Sequence, residues 1–384
     1  MNYASIVRVL ALIMLILAGS ALLPTLVAAI AGETDQVVAF VVMATGITVL
    51  ATSVLLLTPK PERKARPSDA LAVVIIWWFV APFAAALPFV LGVPDRSLLH
   101  AIHEAASCLT TTGHTVVLTE GSSWPASLVV WRGILHILGG LASITTAASV
   151  LAAINLGGPG IHRTVLFTVP ETSFFDAVPR VARAVFAMMI ICIIVLLGLL
   201  IMSGVPFPRA LSDSVSAITT GLVDPYALGR RALPPFPNLI LGAGLIVGAL
   251  GLAVWLPLKD RKPRAALMDP ETLMFLFLIA AFAALVIPIG VRESIPLPIL
   301  VLPSLIGGSA LSAAGGVKIA RLIVLGRRAD QEFRQLGYRR SVLGFRFRDR
   351  DLDERSVIGV WVYLIAYIVA VFVMMIGFSF LSLP

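Results

Sequence analysis

Glu104-Ala105-Ala106-Ser107-Cys108-Leu109-Thr110-Thr111-Thr112-Gly113-His114 lies between two long apolar segments, yet it is too short and too polar to span a membrane itself. A half-length helix followed by Thr-Thr-Thr-Gly is what a re-entrant pore loop requires. Glycine lets the chain turn so that carbonyls point inward. Those carbonyls can then replace the water shell of a dehydrated cation. Irregular backbone at membrane depth is tolerated where it lines a wet cavity. The alternative is a polar turn that caps a helix hairpin, and these residues alone leave both readings open.

The rest of the chain supplies the membrane. Its 384 residues are 59% hydrophobic and 13% charged, with a mean hydropathy of +0.98. Soluble domains average about 25% charged residues, so this is an integral membrane protein. The net charge of +8 fits basic cytoplasmic loops. Cys108 and Cys192 both sit in apolar or pore-like sequence with no metal-ligand partner nearby, which argues against a zinc site or a disulfide. The histidines are scattered, without HExxH spacing, and neither a phosphate-binding glycine loop nor a nucleophile elbow is present. No cofactor and no catalytic residue is expected. Glu104, His103 and Asp213 are the acid–base candidates a membrane enzyme would need, but nothing pairs them in sequence. Glu104 and Asp213 are read instead as supports for pore helices.

Charge bias orders the chain. Residues 9–28 are apolar and read as a spanning helix or as a signal peptide; the length favours a span. Val37 to Leu57 is a second span, and the basic residues Lys60, Arg63, Lys64 and Arg66 follow it. The positive-inside rule places that loop, and with it the N-terminus, in the cytoplasm. Ser68 to Leu91 runs outward, the quoted stretch enters from outside, and a span running to about Ile154 returns. That span carries Arg132, which at membrane depth must be paired, wet, or snorkelling to the interface. A fifth span covers Val181 to Ser203. Then Ala210 to Leu222 repeats the design of the first loop: a short helix, then Thr219-Thr220-Gly221. Such an internal repeat points to pore or transporter architecture. Leu239 to Leu258, Glu271 to Ile289, Ile295 to Leu325 and Ser356 to Phe378 complete nine expected spans. The polar segment 327–355 is arginine-rich and is read as a cytoplasmic orientation signal, not as a nucleic-acid surface.

Glu-x-x-Ser-x-x-Thr-Thr-Thr-Gly resembles the first pore loop of the Trk/Ktr/HKT potassium transporters. Trp131-Arg132-Gly133 with Gly139-Gly140 is similar to the helix that follows it there. The run Ile306-Gly307-Gly308-Ser309-Ala310-Leu311-Ser312-Ala313-Ala314-Gly315-Gly316-Val317-Lys318 resembles the family's intramembrane gating loop. The resemblance implies an all-α polytopic fold of repeated helix–pore loop–helix hairpins: about nine spanning helices and two re-entrant pore helices. It divides the chain into a two-helix hairpin at 1–58, a first pore repeat at 68–155 and a second at 181–258. A third repeat without a pore loop at 271–326, the basic loop 327–355 and a shortened fourth repeat at 356–384 follow. It further implies monovalent cation transport, most readily potassium uptake across a bacterial inner membrane. The filter would be Thr110, Thr111, Thr112, Gly113, Thr219, Thr220 and Gly221, and the gate Gly315, Gly316 and Lys318. K+ is the transported ion, with no other metal. The implied partners are lipid, a second copy in a homodimer, and a cytosolic nucleotide-binding ring subunit docking on 327–355.

Departures from the pattern matter. No room for a third pore loop exists between Ile289 and Ile295, and no fourth follows Phe378. Leu311, Ala313 and Ala314 replace the family's usual Gly, Thr and Gly, and His114 follows the first filter glycine, where a small or apolar residue is usual. His114 is either an interfacial polar residue or a pH-sensitive charge at the mouth. Three readings stand: a reduced transporter completed by a second copy, a non-conducting relative serving as partner or regulatory subunit, or a truncated product. For 307–318 the alternative to a gate is helix packing through small residues. Lys318 at membrane depth costs about 2.5–3.5 kcal/mol unless wet or paired, so it is expected to face a cavity or an acidic partner.

Overall fold

The computed structural model describes residues 3–59, 67–93, 97–115, 124–147, 174–223, 233–251, 264, 268–286, 303–337, 346–347, 350–351 and 354–380. The helices are α1 (Tyr3–Ser20), α2 (Leu22–Ala31), α3 (Thr34–Leu57), α4 (Pro67–Ala85), α5 (Leu87–Gly92), α6 (Leu98–Leu109), α7 (Ala126–Thr145), α8 (Phe174–Met202), α9 (Phe207–Thr219) and α10 (Pro235–Leu250). They continue with α11 (Pro270–Val286), α12 (Ile319–Gly337) and α13 (Glu354–Phe380), with a small antiparallel pair, β1 (Arg346–Phe347) and β2 (Arg350–Asp351), before the last. Among the described residues six helical segments are long and apolar enough to cross a membrane: Tyr3–Ala31, Thr34–Leu57, Ser68–Gly92, Ala126–Thr145, Val178–Met202 and Val357–Gly377. α10 and α11 are apolar but shorter, and the chain beyond Gly251 and beyond Val286 leaves the described set. The protein is an all-α, multi-pass membrane protein. Residues 287–302, where a third pore loop was sought, lie outside the described residues.

Two spans expected to be unbroken are not, and proline explains both. Pro24 cannot donate to the Ser20 carbonyl, and its ring crowds it. The first span accordingly breaks at Ala21, between α1 and α2. Pro88 has the same relation to Ala84, and α4 gives way to α5 at Ala86. Phe89 N–H then bonds to the Ala86 carbonyl, and the Ala85 carbonyl accepts the indole N–H of Trp131 at 3.1 Å. A neighbouring helix thus satisfies a group freed by proline, as lipid surroundings demand. The fifth span also begins earlier than expected, at Phe174.

The chain divides into two compact units. One comprises 1–150 with 169–249, the other 151–168 with 250–384. In the first, apolar side chains from α1, α3, α4, α5, α6 and α7 form one core, with Leu17, Phe40, Met43, Phe89, Leu109, Leu128, Trp131 and Leu135 fully buried. Phe40 meets Trp131 edge-on with centroids 5.7 Å apart, and Phe89 meets Trp124 in the same way at 5.7 Å. Lipid tails are as apolar as leucine, so dispersion and polar contacts, not water exclusion, decide which helices pair. In the second unit α13 presents exposed Ile358, Val362, Ile365, Phe372 and Val373, the all-round apolar surface of a helix in hydrocarbon.

A polar contact at Glu33 joins distant segments of the first unit. Gly32 closes α2 in the left-handed conformation, as helix ends require. The next residue, Glu33, accepts from the backbone N–H groups of Ala126 at 2.7 Å and Ser127 at 3.2 Å, and from the Ser127 hydroxyl. It therefore caps α7, the helix that carries Arg132, from a loop 93 residues away. A lost cap costs about 0.5–2 kcal/mol. Glu33→Ala is expected to lower the melting temperature in detergent by a few degrees, and Glu33→Gln by less. Equal melting of all three proteins would show the cap to be idle.

Candidate pore-loop site

Two half-helices carry the site. α6 and α9 are amphipathic and short, with 12 and 13 residues, and neither continues as a spanning helix. α6 stops at Leu109, and residues 110–115 run as irregular chain, so Thr110–Gly113 is not helical. The terminal backbone groups are satisfied locally. Thr110 N–H reaches the Ala106 carbonyl, Thr111 N–H that of Cys108, and the N–H groups of Thr112 and Gly113 share the Ser107 carbonyl at 2.9 and 3.1 Å. α9 closes likewise, with Gly221 N–H on the Ser216 carbonyl at 3.0 Å.

The internal repeat has a definite register. Thr111 adopts φ +57° and Thr220 φ +55°, each four residues past a helical serine, Ser107 and Ser216. Left-handed backbone costs a non-glycine residue about 1–3 kcal/mol and clusters at functional sites. On this register Glu104 corresponds to Asp213, and Leu222 to Gly113. Matching Thr-Thr-Gly to Thr-Thr-Gly by sequence is therefore off by one residue. Hydrogen bonding supports the structural register, because the carbonyls of Gly113 and Leu222 both accept from the same guanidinium.

That guanidinium belongs to Arg132 of α7. It is 0% exposed, as is its partner Glu104 of α6, and the two form an ion pair. Arg132 Nη2 donates to the Gly113 carbonyl at 2.7 Å and the Leu222 carbonyl at 3.1 Å, and Nε to the Val223 carbonyl at 2.6 Å. The Trp124 ring lies 5.4 Å from its Cζ. Glu104 Oε2 accepts from the Thr115 hydroxyl at 2.7 Å. One buried cation thus ties both loops to one helix and neutralises the acid of the first pore helix. Arg132 is paired, not snorkelling. The loops also touch directly: Leu222 N–H donates to the Thr112 carbonyl at 3.2 Å. Asp213, buried on α9, pairs within its own helix with Arg209 at 3.5 Å.

Of the sequence-selected filter residues, Thr110 and Thr112 are exposed, their hydroxyls 3.1 Å apart. Thr111, Gly113, Thr219 and Gly221 are buried, and Thr220 is half-buried, its hydroxyl on the Thr219 carbonyl at 2.7 Å. Sequence reasoning missed the Glu104–Arg132 pair because 28 residues separate them. The available signal was charge balance: a lone acid in one apolar element and a lone base in the next each need a partner.

The residues expected to form a gate, Gly315, Gly316 and Lys318, lie in the second unit. A single helical turn at 303–306 gives way to irregular chain through Lys318, and helix resumes at Ile319. Gly315 and Gly316 are therefore in a non-helical break. Gly307 and Gly316 have positive φ, and a Cβ at Gly307 would lie 1.9 Å from the Gly315 carbonyl oxygen. The break is closed by backbone bonds from Val317 to Leu305 at 2.8 Å, Lys318 to Ile306 at 3.0 Å and Ile319 to Gly308 at 3.1 Å. Lys318 has φ +76°. Its ammonium donates to the carbonyls of Ser312, at 3.1 Å, and Ala314. Its hydrogen bonds go to carbonyls of its own loop. A buried acid, Glu271 of α11, acts electrostatically on Lys318 and accepts from the Ser309 hydroxyl at 2.7 Å. Sequence reasoning did not single out Glu271.

No family model matches the chain. It is 24% identical to the Trk system potassium uptake protein TrkH of Salmonella typhimurium, over 98% of this chain and 86% of the relative. To TrkI of Halomonas elongata it is 31% identical, over 42% of this chain and 33% of that one. Among solved structures it is similar to the potassium transporter TrkH of Vibrio parahaemolyticus, with a TM-score of 0.84 at 23% identity, covering 98% of this chain and 86% of the other. The chain is TrkH-like in sequence and fold over nearly its whole length.

Proposed function

We propose that this TrkH-like chain moves potassium across a bacterial inner membrane, with its N-terminus in the cytoplasm. Thr110, Thr111, Thr112 and Gly113 form one wall of the path, and Thr219, Thr220 and Gly221 form another. The observation that carries this reading is the pair of half-helices whose strained Thr-Gly ends are clamped side by side by the buried Arg132. Sequence likeness to proteins named for potassium uptake supports it. Nothing in the reaction requires covalent chemistry: carbonyl dipoles replace hydration, and the loops hold them in place. A homodimer and a cytosolic ring subunit docking on 327–355 belong to the same proposal, as do the repeat boundaries read from the sequence.

A second reading is a non-conducting partner or regulatory subunit. It draws on the carbonyls of Thr112 and Gly113, which accept from Leu222 and Arg132. Expression in cells lacking potassium uptake separates the two. Growth at low potassium supports transport; no rescue by correctly inserted protein supports the second reading.

The break at 307–318 is proposed as the gate, with Lys318 as its latch. A hydrogen bond to a charged donor contributes about 1.5–3 kcal/mol. Lys318→Met is therefore expected to raise rubidium uptake by roughly tenfold, since ~1.4 kcal/mol is tenfold in an equilibrium. Unchanged flux from equal amounts of protein would remove the latch from the mechanism.

A further inference from the structure

The middle of α6 and the residue after Gly113 bring two imidazoles together. His103 and His114 are both exposed, and their ring centroids lie 5.6 Å apart with planes at 84°. His100 is one turn earlier on the same helix and is also exposed. Nothing in the pore-loop architecture calls for these rings. Glu104, next to His103, is turned into the protein and committed to Arg132 and Thr115.

The separation has a chemical meaning. Zinc holds imidazole nitrogen at ~2.0–2.1 Å, which puts each ring centroid about 3.2 Å from the metal; at a tetrahedral angle two such centroids are about 5.2 Å apart. The observed centroid separation of 5.6 Å lies within a few tenths of an ångström of that value. Among the described residues no group of three or more His, Cys, Asp and Glu side chains assembles to hold a metal, so the remaining positions would be filled by water. That coordination is a modest-affinity, externally accessible site, not a structural one.

We propose that His103 and His114 bind a divalent transition metal of the zinc class at the rim of the first loop, and that the bound ion restrains cation entry there. The second half rests on the transport reading, because His114 directly follows Gly113; the first half does not. Two added charges at the rim of a cation path repel incoming monovalent cations. A plain edge-to-face ring contact is the competing account of the same geometry, and it implies no metal affinity.

The test uses the full chain, purified in detergent with any histidine tag removed. Zinc binding is followed by calorimetry, and cobalt binding by its visible absorption. The expected result is one equivalent bound, weakened roughly tenfold or more in His103→Ala and in His114→Ala, since each supplies one of two protein ligands. His100→Ala should change it less than threefold. His103→Gln and His114→Gln repeat the measurement should an alanine variant fold poorly. No binding by the wild type, or equal binding by the variants, overturns the site. In cells, external zinc is expected to slow rubidium uptake by the wild type and to spare the two variants. Zinc bound at this pair without any effect on uptake overturns the restraint and leaves the site. If the chain does not transport, binding alone decides the first half and the restraint falls with the transport reading.

Discussion

Arg132→Met is expected to abolish potassium uptake and to lower the melting temperature in detergent on the order of 10 °C. The substitution keeps the volume and removes the charge. Glu104 is then left ionisable, fully buried and without its cation, a loss of about 3–5 kcal/mol. At the same time the carbonyls of Gly113, Leu222 and Val223 lose their common donor. The two losses can be separated. Glu104→Gln combined with Arg132→Met removes both charges, and replacing a whole buried pair is often close to neutral. The double variant should regain most of the lost melting temperature. Uptake should stay absent, because the carbonyls of the two loops are still unclamped. Wild-type uptake in the single Arg132 variant would show that the clamp does not hold the path. Uptake restored in the double variant would reduce Arg132 to a counter-ion for Glu104.

Gly113→Ala and Gly221→Ala are each expected to cut rubidium uptake at least tenfold while insertion persists. A Cβ at Gly113 would stand 2.0 Å from the Leu222 carbonyl oxygen, and one at Gly221 2.2 Å from the Thr111 carbonyl oxygen. Both neighbours are backbone, so neither can rotate away. Gly113 also has φ +77°, where an L side chain is strained whatever the space. The loops must part, and the bond from Leu222 N–H to the Thr112 carbonyl breaks with them. Gly242→Ala on α10 is the control. It has nothing within 4 Å of the added carbon, and alanine is the better helix former by about 1 kcal/mol. A path insensitive to Gly113 and Gly221 substitution, or equally sensitive to Gly242, would argue that cations do not pass between these loops.

Much of this was legible in order along the chain. The apolar runs, the half-length helices before Thr110 and Thr220, and the interruption at 307–318 all follow from local composition. Solvation acts residue by residue: lipid demands about 20 apolar residues for a crossing, and polar or glycine-rich backbone must lie elsewhere. Periodic and compositional signals of that kind do not need a partner to be recognised. The breaks at Ala21 and Ala86 are equally local, since Pro24 and Pro88 alone account for them.

What the tertiary structure alone decided is which polar groups find one another. Arg132 required a partner, but only the packing of α7 on α6 selects Glu104, 28 residues away. Lys318 required one too: carbonyls of its own loop take its hydrogen bonds, and the acid that acts on its charge, Glu271, comes from α11. The one-residue offset between the two loops was invisible for the same reason, because register there is set by backbone bonds to Ser107, Ser216 and Arg132, not by the Thr-Thr-Gly letters. Sequence by itself determined which residues cannot remain in lipid unpaired. Pairing depends on distances between segments remote in the chain, and those exist only once the helices have packed.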